Sequence, residues 1–288
     1  NYSNSTRSGG ALNLQGAANQ SETHSTIAKG NEDDSSKNYQ VNLNSVKWIS
    51  DNVKFKSTLY SRKNKTDYDG SATDEKGYVA DNRMYAIQSG FEHKSQNSEN
   101  NLIFHYHNYD RDYFNSGYLD EYDSESLVVK VDRSTKLNNK FSFGYGSEYK
   151  YDWGAFENRG SYTASTKGHM KDFGFFTNAG YKINDNQILS IYGRTDNHNT
   201  TGRNQTYKLN FTQILGQFKF VATHSTGLRN PSLYELYGSD NFGIEGNTKL
   251  NPEKSETNEL YGEYNFSETI KFTSTAYRAK VFDRIETN

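Results

Sequence analysis

The stretch 141-FSFGYGSEYKY-151 decides the fold of this chain, because its residue types alternate with a period of two. The even positions carry serine, glycine, glutamate or lysine. The aromatic residues all occupy odd positions: Phe141, Phe143, Tyr145, Tyr149 and Tyr151. A period of two places successive side chains on opposite faces of a β-strand. The stretch therefore predicts a strand with one aromatic face and one small or charged face.

The same alternation recurs along the chain, in residues 53–56, 127–131, 173–181 and 207–211. No comparable stretch keeps the 3.6-residue period of a helix. We count about thirteen strand candidates of roughly 10 residues, which is the length that crosses a bilayer when a strand is tilted. The class is therefore all-β.

The connections between these strands alternate between short and long. Short polar turns lie near residues 49–52, 94–100, 134–139, 184–186, 215–217 and 267–269, and long polar loops near 20–37, 62–82, 110–123, 152–170, 196–204 and 228–256. In an antiparallel up-and-down meander every second connection lies at the same end, as in a transmembrane β-barrel. A soluble sandwich or propeller is the alternative, but no self-similar repeat of about 40 residues occurs. The pattern favours the membrane barrel.

Composition limits the remaining classes of protein. Hydrophobic residues make up 32% of the 288 residues and aromatic residues 15%, so the chain folds without one large apolar core. Its longest apolar run, residues 84–87, is far too short for a membrane helix. The net charge of −2, with no basic stripe, argues against nucleic-acid binding. The absence of cysteine excludes disulfides. No known catalytic motif is present, so we do not expect an enzyme.

Both prolines of the chain fall in residues 227–255, GLRNPSLYELYGSDNFGIEGNTKLNPEKS, which we call the signature segment. A proline inside a strand ladder removes a hydrogen-bond donor, so its placement in a loop fits a barrel. The segment resembles the F-R-A-P-S-L-x-E-L-Y and G-N-P-x-L-x-P-E-K-S signature of TonB-dependent outer-membrane receptors. It departs from that pattern at Leu228, Asn230 and Thr248. The matching signature residues that we single out are Arg229, Pro231, Leu233, Tyr234, Leu236, Tyr237, Asn247, Leu250, Pro252 and Glu253.

Within this family the chain is most similar to the cobalamin (vitamin B12) receptors. Residues 68–83, 193–197 and 274–285 carry that further resemblance. The resemblance implies that residues 1–288 form about thirteen strands of a barrel that has 22 in the family. We expect the N-terminal plug, the segment that engages TonB and the last strands to lie outside this sequence.

The resemblance also implies a function and a location. It implies a monomeric barrel in the lipid bilayer of a Gram-negative outer membrane, where a receptor coupled to the TonB complex through its plug takes up a scarce nutrient. The expected ligand is cobalamin or another corrinoid, and the alternative is a ferric siderophore or another iron chelate. A passive porin or an outer-membrane enzyme is more remote. No histidine lies in the signature segment, which argues against haem as the ligand.

Acidic residues in the first two long loops are candidate ligands for calcium. Calcium takes 6–8 oxygen ligands, and cobalamin receptors use aspartates of these two loops to bind it. The positions that match are Asp33, Asp34, Asp69 and Asp81, and solvated loop carboxylates are the alternative. His105 and His107, two residues apart on one strand face, are either polar residues of the barrel interior or a pair that shares a metal.

Overall fold

The computed structural model describes residues 10–24, 33–68, 77–115, 117–159, 164–240, 243 and 245–286. Among these residues the chain forms fourteen strands and one short helix. They are β1 (Gly10–His24), β2 (Asp33–Ser50), β3 (Val53–Asp67), β4 (Tyr78–Lys94), β5 (Ser98–Asn115), β6 (Tyr118–Lys136), β7 (Phe141–Arg159), β8 (Ala164–Asn184), β9 (Gln187–His198), β10 (Gly202–Leu215), β11 (Phe218–Arg229), α1 (Leu233–Tyr237), β12 (Ser239–Asp240), β13 (Glu253–Asn265) and β14 (Lys271–Phe282).

Thirteen of the strands pair in chain order into one antiparallel sheet, and the two-residue β12 pairs separately with β8. The all-β, up-and-down prediction is therefore confirmed. The turns at residues 51–52, 95–97, 137–140, 185–186, 216–217 and 266–270 all lie at one end of the sheet. At the other end the connections are not all long, because β9 and β10 are joined by the three residues 199–201, where a long loop at 196–204 was predicted. Among the described residues, no helix is both long enough and apolar enough to cross a membrane.

The strands are longer than the predicted ten residues and extend into regions that we expected to be loops. β8 has 21 residues, and β5 and β6 remain paired up to Asn115 and Tyr118. Much of the predicted loops at residues 62–82, 110–123 and 152–170 is therefore strand. The loop prediction rested on the loss of apolar residues, but a backbone ladder continues without an apolar face where polar side chains pair across strands. We treat about ten residues next to the short turns as the membrane-spanning part of each strand.

The two faces of the sheet differ sharply in chemistry. We call the face against which α1 packs the inner face, and the other the outer face. Residues that lie opposite each other in adjacent strands share a face, so the register assigns every strand position. Large exposed apolar side chains concentrate on the outer face, including Val41, Leu59, Phe91, Phe104, Val131, Tyr145, Phe175, Leu209, Phe220 and Leu260. This outer band matches the expected lipid-facing surface of a barrel.

Tight apolar packing is confined to few places in the described residues. The buried apolar side chains there are Ala80, Pro231, Leu236 and Pro252, and the last three belong to the signature segment. The side chain of Leu236 has no exposed surface. The fold is thus held mainly by its backbone ladder, and the signature segment is the place where side chains pack as in a globular core.

Candidate functional site

Helix α1 lies in the signature segment and begins with a capping box. The Ser232 hydroxyl accepts a hydrogen bond from the Glu235 backbone N–H at 3.2 Å, and the Ser232 N–H donates to Glu235 Oε2 at 2.6 Å. These two bonds satisfy donors that the first turn of a helix leaves unpaired. The sequence S-L-Y-E therefore starts the helix, and Pro231 fixes the backbone immediately before it.

The helix rests on a pair of glycines in neighbouring strands. Gly154 in β7 lies opposite Gly168 in β8. A Cβ atom on Gly168 would lie 2.4 Å from Cδ2 of Tyr237, and one on Gly154 would lie 2.9 Å from Cδ1 of Leu233. A larger residue at position 168 would therefore collide with the Tyr237 ring, and one at position 154 would displace the end of the Leu233 side chain. The two glycines form the seat of α1 on the inner face.

The signature segment reaches back across the sheet after α1. β8 extends past the end of β9, since Asp172 is the last β8 residue paired with β9, opposite His198. In that extension Ser165 pairs with Ser239 and Ala164 with Asp240 of β12. The segment thus leaves β11, crosses the inner face and attaches to a strand edge that β9 leaves open.

Arg229 links the two ends of the signature segment, which we call its base. Its guanidinium donates to both carboxylate oxygens of Glu253, at 2.7 and 2.9 Å, and to both of Glu235, at 3.1 Å each. Hydrogen bonds from Arg229 hold the pKa of Glu235 below its usual value and lower the pKa of Glu253 to about 2; the Ile285 N–H adds to the latter. One guanidinium therefore joins the end of β11, the start of β13 and the first turn of α1.

The return half of the segment packs against the helix through its backbone. The Asn247 N–H donates to the Glu235 carbonyl at 2.9 Å, and the Leu250 N–H donates to the Asn247 carbonyl at 3.3 Å. A Cβ atom on Gly246 would lie 2.5 Å from the Tyr237 backbone nitrogen, so only glycine fits there. Tyr234 is the signature aromatic residue that stays largely exposed. Pro231 lies in the loop after β11, as predicted, but β13 begins directly after Pro252, so the last four residues of the predicted loop at 228–256 are strand.

A second group of residues, the Arg111 cluster, lies next to α1 on the inner face. We define the cluster as Tyr68, Arg111, Tyr113, Tyr122 and Phe156. The Arg111 guanidinium carbon lies 3.9 Å from the ring centre of Tyr113 and 5.8 Å from that of Tyr122. Tyr122 stacks on Phe156 with ring centres 4.4 Å apart, and Tyr68 contacts Tyr113 edge to face. Phe156 is two residues from Gly154, so the cluster and the helix border one another.

The Arg111 cluster has a free hydrogen-bond donor beside a cavity. Nε of Arg111 is buried and has no hydrogen-bond partner among the described residues. A cavity of about 250 Å³ adjoins it, with Arg62, Asn82 and Tyr109 also in its wall. Burial raises the pKa of Tyr122, and the nearby charge of Asp120 raises it further, so its phenol stays neutral. The cavity wall and the adjoining Arg111 cluster together therefore offer cationic and neutral donors and aromatic surface.

The predicted calcium ligands are only partly described. Asp69 lies outside the described residues, and Asp33 and Asp34 are described as the first backbone positions of β2. Asp81 lies on the outer face of β4, where its carboxylate is 3.8 Å from Lys63 Nζ and 3.6 Å from Arg83 Nε. Within the described ranges, no three His, Asp or Glu side chains are arranged to hold a metal. The described residues alone do not fit a calcium site, and the calcium prediction stays a prediction.

Sequence reasoning missed α1, its glycine seat and the Arg111 cluster. The helix had a local signal, because Ser232 and Glu235 have capping-box spacing. The seat had none, since β7 and β8 contain other glycines and only the register pairs Gly154 with Gly168. Arg111 likewise meets Tyr122 only through the pairing of β5 with β6.

Comparisons with known proteins agree with this architecture. The family model described as "TonB dependent receptor-like, beta-barrel" matches residues 1–288. The siderophore receptor PirA of Acinetobacter baumannii superposes with a TM-score of 0.75 at 14% identity, over 96% of this chain and 48% of that one. The ferric citrate transporter FecA gives 0.74 at 12% identity, over 97% and 47%. The copper transporter OprC gives 0.73 at 14% identity, over 95% and 49%. No curated protein sequence matches significantly.

An antiparallel meander with an apolar outer band and a polar inner face is the architecture of an outer-membrane β-barrel. The chain belongs to the TonB-dependent receptor β-barrel family, and it lies in the outer membrane of a Gram-negative bacterium. It spans about half the length of the solved structures that it resembles.

Proposed function

We propose that the full-length protein is a TonB-dependent receptor that takes up a metal chelate carrying anionic groups. The observation that supports this most strongly is Arg111, which lines a cavity on the inner face and whose buried Nε has no hydrogen-bond partner in the described part of the chain. A buried donor without a partner is costly, and an anionic oxygen would satisfy it with a charge-assisted hydrogen bond. Several similar structures are named as siderophore, ferric enterobactin or ferric citrate proteins.

The aromatic members of the Arg111 cluster suit the organic part of such a chelate. Tyr122 and Phe156 already stack in parallel, and Tyr113 lies under the guanidinium. Planar rings of a ligand would extend these stacks, while the neutral phenol of Tyr122 can donate a hydrogen bond. The signature segment, fixed to β8 by α1 and β12, forms a rigid border of the site.

Cobalamin is the second candidate ligand. The sequence resemblance in residues 68–83, 193–197 and 274–285 favours it. The first of these stretches includes Tyr68 of the Arg111 cluster, so both ligands would use the same end of the barrel. The two candidates differ in how much they need the positive charge of Arg111.

Binding to the purified full-length protein separates the two ligands. Quenching of intrinsic fluorescence would be measured with a ferric catecholate siderophore, ferric citrate and cobalamin. We expect one of the iron chelates to bind, and Arg111→Gln to weaken it roughly 10–100-fold, since hydrogen bonds to charged groups contribute about 1.5–3 kcal/mol. Arg203→Gln is the matched control, because Arg203 lies on the outer face at the same end of the sheet. Binding of cobalamin alone, unaffected by Arg111→Gln, would replace the proposal with a cobalamin receptor.

A structural calcium site, at the ends of the first strands that lie away from the short turns, remains a separate proposal. It requires Asp69 together with Asp81 and with Asp33 or Asp34, and Asp81 would have to exchange its ion pairs with Lys63 and Arg83 for the metal. Ligand affinity measured with calcium and with a chelator tests it. Calcium should tighten binding in the wild type and not in Asp69→Asn; equal affinity in both buffers would end the proposal.

Coupling to TonB and active transport are also proposals. Family members are receptors and transporters, and we propose no catalytic role for this chain. The competing function is a passive pore, which would move its solute without an energised membrane. Uptake with and without that energy separates the two.

A further inference from the structure

His105 and His107 lie outside the Arg111 cluster, on the inner face of β5 and nearer than Arg111 to the end of the sheet that carries the short turns. They are two residues apart in one strand, so their side chains lie on the same face. The register assigns that face: His107 lies opposite Ser126 of β6, which lies opposite Asp152 of β7, and Asp152 is two residues from Gly154 in the seat of α1.

The two imidazole rings present nitrogen atoms to each other. Nδ1 of His107 lies 3.4 Å from Nε2 of His105, and the ring planes are inclined at 56°. This separation is long for a hydrogen bond, whose N–H···O counterparts have a mode of about 2.9–3.0 Å. It equals the edge of a tetrahedron around a metal with Zn–N bonds of about 2.0–2.1 Å, which is roughly 3.3–3.4 Å.

The surroundings of the pair leave room for further ligands. Gln88 of β4 lies opposite His105, and its amide oxygen is a potential donor to a metal. Asp152 is 2.7 Å from Lys150 Nζ, so a carboxylate already balanced by a cation lies on the far side of Ser126. Both histidines are half-buried, and water or an incoming ligand can therefore complete a coordination shell.

We propose that His105 and His107 form a two-imidazole site on the inner face for a divalent late transition metal, Cu²⁺, Zn²⁺ or Ni²⁺. Imidazole suits these metals, whereas Asp152, whose carboxylate is paired with Lys150, does not supply the several oxygen ligands that calcium or magnesium takes. Two protein ligands leave open positions, so the site would hold its metal reversibly. The proposal does not depend on the Arg111 cluster or on chelate uptake.

The test uses purified full-length protein and the metal alone. With one equivalent of Cu²⁺, electron paramagnetic resonance of the wild type should show hyperfine coupling to two imidazole nitrogens. His105→Gln and His107→Gln should each remove one nitrogen and lower the affinity for Cu²⁺ at least about 10-fold, as loss of ligand-sphere support does at other sites. His224→Gln is the control, because His224 lies on the outer face with hydrogen bonds to Tyr207 and Asn258.

Two results would overturn the proposal. One is a wild-type spectrum without two-nitrogen coupling, which needs no variant and so is unaffected by any failure of a variant to fold. The other is an unchanged spectrum in the double variant His105→Gln/His107→Gln, with its fold verified by heat-modifiable electrophoretic mobility. The chelate-binding assay described for the proposed function does not depend on either result. Failure of the metal-site proposal would therefore leave the proposed receptor function intact.

Discussion

The ring of Tyr237 lies directly on Gly168, so closely that a single added Cβ atom would stand 2.4, 2.6 and 3.0 Å from three of its carbons. This contact joins a loop that follows β11 to a strand three positions earlier in the sheet. A glycine in a strand interior usually weakens the strand, but here it allows close approach of another element. The absence of a side chain at Gly168 therefore allows the loop to pack directly against the strand.

Substitutions of the two glycines that seat α1 should loosen its packing on the sheet to different extents. Gly168→Ala meets a rigid ring and should loosen the signature segment most, by roughly 1–3 kcal/mol as overpacking does elsewhere. Gly154→Ala meets the flexible end of Leu233 and should have a smaller effect. The rate of tryptic cleavage after the exposed Lys249 reports the release. Gly193→Ala is the control, since its nearest contact is 3.9 Å away, and equal rates in all three variants would contradict the seat.

Arg229→Lys should detach the base of the segment even though it keeps the positive charge. A lysine ammonium cannot donate in parallel pairs to both Glu253 and Glu235 as the guanidinium does. We expect faster cleavage at Lys249 and greater hydrogen exchange at the Asn247 amide, with little change in the membrane-spanning strands. Arg203→Lys on the outer face serves for comparison. If Arg229→Lys behaves like that control, charge alone holds the segment.

Acid should weaken the same junction. The pKa of Glu253 is lowered from 4.5 to about 2, and that of Glu235 is lowered as well. Lowered values mean that the folded form prefers the carboxylates, so their stabilisation is complete above pH 4.5 and is lost as pH falls towards about 2. The protection factor of the Asn247 amide, which is the intrinsic exchange rate at each pH divided by the measured rate, should therefore fall as pH decreases across this window. Glu253→Gln should flatten the profile, and an identical profile in that variant would assign the effect to other groups.

Tyr122 tests the aromatic part of the proposed ligand site. Tyr122→Ala removes the stack on Phe156 and one aromatic neighbour of Arg111, and it should weaken binding of the preferred iron chelate about 10-fold. Tyr122→Phe keeps the ring and should cost at most a few-fold. Isothermal titration of both variants measures the difference. An equal loss in Tyr122→Phe and Tyr122→Ala would show that the phenol hydroxyl, and not the ring, contacts the ligand.

The strands were predictable from the sequence because the period of two is local. Phe141 and Tyr145 alternate with Ser142 and Gly144, and no distant residue is needed to read that pattern. The signature segment was identified for the same reason, as one continuous run. The site was harder to predict because it depends on register: Arg111 reaches Tyr122, and Gly168 receives Tyr237, only after β5 to β11 have paired. Loop lengths were overestimated because polar hairpins stay paired beyond the membrane.

The most direct test of the proposed receptor function is the initial rate of uptake of the preferred radiolabelled iron chelate by cells that produce the full-length protein, with and without a protonophore. Coupled transport predicts uptake that saturates at low chelate concentration, stops when the membrane is de-energised and falls strongly in Arg111→Gln. An equal rate with and without the protonophore, rising linearly with concentration and unaffected by Arg111→Gln, would contradict the account and leave a passive pore.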